Sequence, residues 1–315
     1  MRLHDVCPPS VAAQCFTPPI DESGDILFSL RTLKITLAYD GAEFSGWQVQ
    51  PGRATVQGAL REALARITDG EAELPQGSGR TDAGVHALAQ VASWHTESPI
   101  PAANLAKALN DVLPPAVRVL ALEDAAPDFH ARTSARRKTY RYRIHRGALC
   151  PPLLARYVAH HPFPLDEAAI IAAAGIVAGE HDFSSFAATD PERHLRLERH
   201  LRPERHLRLA AAAASTDHDV AEGTKITNVR TIYESRWERV RVPGDDFCVR
   251  DELVYTVCGN GFLHHMVRNL VGTFLLIGKG SLSQADLRRI LDLRDRSAAG
   301  PTAAACGLYL VSVEY

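Results

Sequence analysis

The sequence predicts an α/β protein made of two similar α/β modules. Three observations point there. Stretches with strand alternation and stretches with helical periodicity follow one another along most of the chain. The same mixture resumes after a break near residue 131. The composition is that of an ordinary globular protein, 46% hydrophobic and 23% charged, and 315 residues suit two domains better than one.

Residues 1–30 carry four prolines, several acids and little periodicity, which predicts a poorly ordered leader. Order begins at Arg31, where LKITLAY reads as a strand closed by an Asp40-Gly41 turn. Thr55 is placed to cap a helix whose Val56, Leu60, Ala63, Leu64 and Ile67 recur at helical spacing. The segment GSGRTDAGVH (77–86) follows, then QVASWHT as a strand. PAANLAKALNDVL reads as a helix stopped by Pro114-Pro115. From Thr139 the chain alternates again, with Tyr140, Tyr142 and Ile144 on one face and Arg141, Arg143 and His145 on the other. Asp166 can cap an alanine-rich helix running to Val177.

Between Pro191 and Leu209 the sextet ERHLRL, ERHLRP, ERHLRL repeats three times, too short to build a solenoid. Together with the alanine run behind it, this predicts a low-complexity insertion at 187–224. ITNVRTIYESRWERV and DELVYTVCGNGF are strand-like. Val267, Leu270, Val271, Phe274 and Leu275 mark a buried helix, and Ser283 with Asp286 forms a capping box before a last helix. GLYLVSVEY closes as a strand. The modules are thus 31–130 and 131–315.

Several chemistries are disfavoured. A net charge of −2 argues against indiscriminate nucleic-acid coating, while leaving room for a local basic surface. Cysteines at 7, 15, 150, 248, 258 and 306 include no CxxC, so neither a zinc knuckle nor a redox dithiol is indicated. Without a signal-like or membrane-length apolar run, a soluble cytoplasmic protein is expected. GSGRTD lacks the third glycine of a dinucleotide fingerprint, and GTFLLIGKG (272–280) has one residue too many for a phosphate loop. His160-His161 and His264-His265 are adjacent pairs without the i, i+4 spacing of helical metal ligands, and no metal is expected.

Three features carry chemistry. Asp82 sits in a glycine-rich segment that permits close backbone approach, although a turn aspartate bonding its own backbone would look the same. Between Arg132 and Arg146 lie seven Arg or Lys, no acid, and the interleaved Tyr140 and Tyr142. Cations for phosphates and aromatic platforms for unstacked bases suit RNA; a solvated strand face with two core tyrosines is the plainer alternative. Arg268 stands on an otherwise apolar helix side, where a buried guanidinium needs a carboxylate such as Asp82 unless it snorkels to water.

Read together, these segments resemble the tRNA pseudouridine synthase A family. The resemblance runs from Leu33 to Tyr315 through YDGAEFSGWQVQ, TVQGAL, GRTDAGVHALAQV, LNDVLP, DFHARTSARRKTYRY, HDFSSF, GNGFLHHMVRNLVG and GLYLVSVEY, in the family's order. The leader and the insertion depart from it. The resemblance implies two α/β modules whose mixed, mainly antiparallel sheets join around a basic cleft. It also implies an isomerase converting uridine to pseudouridine at positions 38, 39 and 40 of the tRNA anticodon arm, working as a homodimer without metal or organic cofactor.

Residue by residue, the resemblance makes Asp82 the catalytic aspartate and nucleophile, Arg268 its partner, Arg80 the arginine that helps extrude the base, and Tyr140 the ring that stacks on it. Arg136, Arg137, Lys138, Arg141 and Arg143 are the expected RNA contacts. The chemistry is consistent: the base must leave its stack, and a carboxylate can attack C1′ or take a proton while stabilising charge there. The sequence leaves that choice open. Two rivals remain at this point, an RNA-binding protein without catalysis and a nucleoside hydrolase, though hydrolysis usually needs a second carboxylate.

Overall fold

The computed structural model describes residues 30–68, 70, 72–188, 227–242 and 250–315. Nearly all of the expected leader and insertion, the sextet repeats included, lies outside the described residues.

The first strand, β1 (Arg31–Tyr39), buries Leu33, Ile35, Leu37 and Tyr39 on one face, as its alternation predicts. Helix α1 (Val56–Thr68) starts where Thr55 Oγ1 accepts a hydrogen bond from the Gly58 N–H at 3.3 Å. After β2 (Gln76–Gly77) and β3 (His86–Thr96), α2 (Ala102–Val112) ends before the two prolines. β4 (Val117–Ala125) completes the first half.

The second half runs through β5 (Arg137–His145), the short α3 (Pro152–Ala155), β6 (Ala159–His160), α4 (Glu167–Ala174) and β7 (Gly179–Asp182). Asp166 caps α4 by accepting from the Ala169 N–H. β8 (Val229–Val242), β9 (Arg250–Gly259), α5 (Met266–Gly278), α6 (Gln284–Leu293) and β10 (Leu308–Glu314) follow. The Ser283–Asp286 capping box at the start of α6 is present in full.

The described strands form one sheet in the order β4-β1-β3-β10-β5-β9-β8-β7, with β2 on β3 and β6 on β5. The pairing is antiparallel except for β10 on β3 and β5 on β6. The last strand of the chain therefore sits between the two halves, and the sheet is continuous through both. Periodicity did not announce β2, β4, β6 or β7. β2 and β6 are two residues long, while β4 and β7 are edge strands whose solvated residues blur the pattern.

Among the described residues, α1, α2 and α5 pack on one face of the sheet. Leu60 and Leu64 of α1 and Leu105 and Leu109 of α2 pack, fully buried, in one core with Leu33, Ile35 and Leu37. Shortening any of these leucines to alanine costs about 2–5 kcal/mol. At the other end Phe274 of α5 meets Trp237 and Tyr255 edge-on. Cross-strand partners share a face, so Ala87, Leu310, Tyr140 and Val257 continue that face along the middle strands. No helix among the described residues is long and apolar enough to cross a membrane.

Candidate active site

Strand β3 positions the GSGRTDAGVH segment. One end of β3 pairs with β10 through His86 and Ala87, and the other with β2 through Ala92 and Ser93. Residues 78–85 bridge the opening between those pairings, at the meeting of the two halves. Bonds from several elements hold this loop. Lys138 Nζ donates to the Ser78 carbonyl (2.5 Å), Gln90 Nε2 to Gly79 O (3.0 Å) and the Trp47 N–H to Thr81 O (3.0 Å). The Tyr39 hydroxyl bonds Thr81 Oγ1 at 2.8 Å, and the Val85 N–H closes a turn on Asp82 O at 3.1 Å. Gly84 takes φ +79°, the left-handed conformation its position favours. The backbone on either side of Asp82 is thus fixed, and its side chain is 19% exposed.

Helix α5 supplies the partner. Arg268 Nη1 donates to Asp82 Oδ2 at 2.8 Å, and its Nε donates to Ala303 O at 2.7 Å. The second bond fixes the plane of the guanidinium and aims one donor at one carboxylate oxygen. Snorkelling, the alternative for Arg268, does not occur.

Sequence spacing missed two neighbours. His264 Nε2 lies 3.5 Å from Asp82 Oδ1 and His265 Nε2 lies 3.4 Å from Oδ2. His265, just before α5, has φ +59°, and this left-handed turn brings two consecutive imidazoles to one carboxylate, their centroids 3.9 Å apart. Burial lowers the His265 pKa below its usual range, against the pull of the Asp82 carboxylate. Asp82, His264 and His265 bring ligand-type atoms within 4.8 Å of one another, a set able to hold a divalent ion. The Arg268 cation on the same carboxylate opposes one. Spacing rules for helical metal ligands do not detect such a cluster, because it arises from the turn and not from a helix face.

Tyr140 is 8% exposed on β5, and Phe262 packs edge-on against it at 5.0 Å. Burial pushes its phenol well above the usual tyrosine range, with the nearby Tyr39 and Asp82 adding to the effect. Its hydroxyl is therefore a weaker acid than a free phenol and stays protonated at neutral pH. A base stacking on Tyr140 needs part of that cover to move. Arg80 is half-buried, two residues from Asp82.

The five cations expected to contact RNA separate. Arg136 and Arg137 are exposed, and Arg137 lies over the Tyr233 ring at 4.9 Å. Lys138 braces the loop that carries Asp82, and burial, with Arg132 and Arg230 near, lowers its ammonium pKa to about 8. Arg141 and Arg143 point to the face opposite Tyr140. Arg143 binds the buried Glu252 through two bonds of 2.8 and 2.6 Å. These two are not brought together with Asp82.

His86 ends the loop on that opposite face, its ring stacked on Tyr309 at 4.9 Å. The Gly41 N–H donates to its Nδ1 (3.1 Å), which leaves Nε2 to donate to Arg156 O. The Asp40 carboxylate also lies 3.1 Å from Nδ1, but burial lowers the pKa and the bond from Gly41 occupies that nitrogen, so the ring is neutral. Its role is structural.

A family model described as tRNA pseudouridine synthase matches residues 35–133 and 211–315, so both Asp82 and Arg268 lie within the match. The chain belongs to the tRNA pseudouridine synthase family. A tRNA pseudouridine synthase A of Solibacter usitatus is 44% identical over 286 residues, 91% of this chain and all of that protein. One from Moorella thermoacetica is 41% identical over 286 residues, and one from Lacticaseibacillus casei 40% over 282, each covering 90% of this chain and 98% or more of its own. For a tRNA pseudouridine synthase, the observed site supplies a fixed, partly exposed carboxylate, a bound guanidinium and an aromatic wall.

Proposed function

We propose that this tRNA pseudouridine synthase converts uridine to pseudouridine at positions 38, 39 and 40 of the anticodon arm, with Asp82 as the nucleophile. The observation that carries the reading is the 2.8 Å bond from Arg268 to Asp82 Oδ2. It occupies one oxygen and leaves Oδ1 for C1′. Attack by Oδ1 as the C1′–N1 bond breaks gives a glycosyl ester and the uracil anion. The freed uracil turns, C5 displaces the carboxylate at C1′, and the C5 proton is lost while N1 gains one.

Arg80 fills the space of the extruded nucleotide, and extrusion costs a few kcal/mol. Tyr140 holds the detached uracil by stacking, worth about 1–3 kcal/mol per base. The exposed Arg136 and Arg137 meet backbone phosphates. The enzyme works as a cytoplasmic homodimer without metal or organic cofactor, as the family resemblance implies.

The test uses unmodified tRNA carrying tritium at C5 of the uridines at 38–40. Wild type releases tritium and leaves pseudouridine at those positions. Asp82→Ala binds the tRNA and releases none. Free uracil as product would identify a hydrolase, and pseudouridine elsewhere in the tRNA would overturn the assignment of position.

A further inference from the structure

The reaction has a step that the proposed roles of Asp82 and Tyr140 leave unassigned. When C5 has joined C1′, C5 still carries its hydrogen and the ring holds a C6=N1 double bond. Aromaticity returns only when a base removes that hydrogen, and a base acts within hydrogen-bond reach of the proton it takes. C5 is then bonded directly to C1′, the atom that Asp82 serves. The base must therefore stand beside Asp82.

Few groups among the described residues stand there. Arg268 is a permanent cation with no acceptor atom. The Tyr140 phenol is held protonated by burial. His265 lies 3.4 Å from Oδ2, the oxygen that Arg268 also binds, and is the more enclosed of the two imidazoles. His264 differs on both counts. Its Nε2 lies 3.5 Å from Oδ1, the oxygen turned away from Arg268, and its side chain is 36% exposed. At 3.5 Å Nε2 is not committed to a hydrogen bond with the carboxylate. The His265 ring, tilted by 34° and 3.9 Å away between centroids, limits where His264 can swing. A non-glycine residue at φ +59° costs energy, and such strain persists at functional sites.

We infer that His264 is the base that takes the C5 proton. Its Nε2 accepts the hydrogen as a proton, and the C5–H electron pair closes the C5=C6 bond. The C6=N1 pair moves onto N1, which takes a proton from water, and His264 later returns its own to solvent. One proton leaves C5 and one arrives at N1, with no oxidant or cofactor involved. The inference rests on the proposed role of Asp82.

The experiment compares wild type with His264→Gln in the full chain, on tRNA whose target uridine carries protium or deuterium at C5. Loss of a general base slows turnover by about 10²-fold or more. The C5 step should then limit the rate, so deuteration slows the variant by a larger factor than it slows wild type. A residue that only positions Asp82 would slow C1′–N1 cleavage instead, where no bond to the C5 hydrogen breaks. A variant of normal rate, or a slow variant whose isotope effect is no larger than that of wild type, overturns the inference. His264→Ala serves as a second variant, and far-ultraviolet circular dichroism confirms that both fold. If Asp82→Ala still releases tritium, the reading of Asp82 has failed. If Asp82→Ala is inactive and the histidine variants show no enlarged isotope effect, this inference alone has failed.

Discussion

Gly46 lies under the loop that carries Asp82, and replacing it with alanine should misplace Asp82 without unfolding the protein. Its φ is +92°, and a Cβ there would stand 2.6 Å from the Thr81 carbonyl oxygen and 3.2 Å from Ala83 N. The first distance falls short of ordinary contact at 3.4 Å by 0.8 Å, and both neighbours are backbone. Thr81 O already accepts from the Trp47 N–H, so the loop cannot retreat without breaking that bond. A shift near 1 Å at a reacting group costs about 10²-fold in rate. The backbone strain itself adds about 1–2 kcal/mol to the loss of stability.

Gly52 provides the control. Its φ is +69°, yet an added Cβ meets nothing within 4 Å. Gly52→Ala should therefore show comparable strain and nearly unchanged tritium release. The assay is kcat/KM for release beside a urea-unfolding midpoint, for both variants. Equal activity in the two alanine variants would refute the claim that the Gly46 contact positions Asp82.

Two further predictions concern the groups that hold the loop. Arg268 and Asp82 are 15% and 19% exposed, between a surface pair and a buried one. Arg268→Ala should accordingly cost about 2–3 kcal/mol of stability by urea unfolding, together with most of the activity. A normal midpoint with normal release would mean that the pair does not matter. Lys138 offers a pH signature. Burial lowers its pKa to about 8 in the folded chain, against 10.5 unfolded, so between those values the unfolded chain binds more protons and stability rises with pH. Wild type should gain stability relative to Lys138→Met as pH climbs through that window; parallel curves would mean that the ammonium is not desolvated.

How much of this was legible in the sequence depends on the range of each interaction. The helix caps, the alternation in β5 and the helix of Val267 and Leu270 are local, and they appear where periodicity and capping chemistry place them. The Asp82–Arg268 pair joins residues 186 positions apart, yet it could be anticipated because a guanidinium on an apolar helix side demands a carboxylate. The placement of β10 between β3 and β5 has no local signal, since a buried strand reads the same in any sheet position. The approach of His264 and His265 to Asp82 was hidden for another reason. It depends on one left-handed residue, and histidine gives no reliable sign of that conformation. Arg143 shows the converse limit: its basic strand face suggested RNA, but Glu252, more than a hundred residues away, neutralises it.

The most direct test of the central claim is tritium release from C5-labelled tRNA by Asp82→Ala beside wild type, with tRNA binding measured on the same preparations. The account predicts undiminished binding and no release by the variant. Release at an appreciable fraction of the wild-type rate would contradict it.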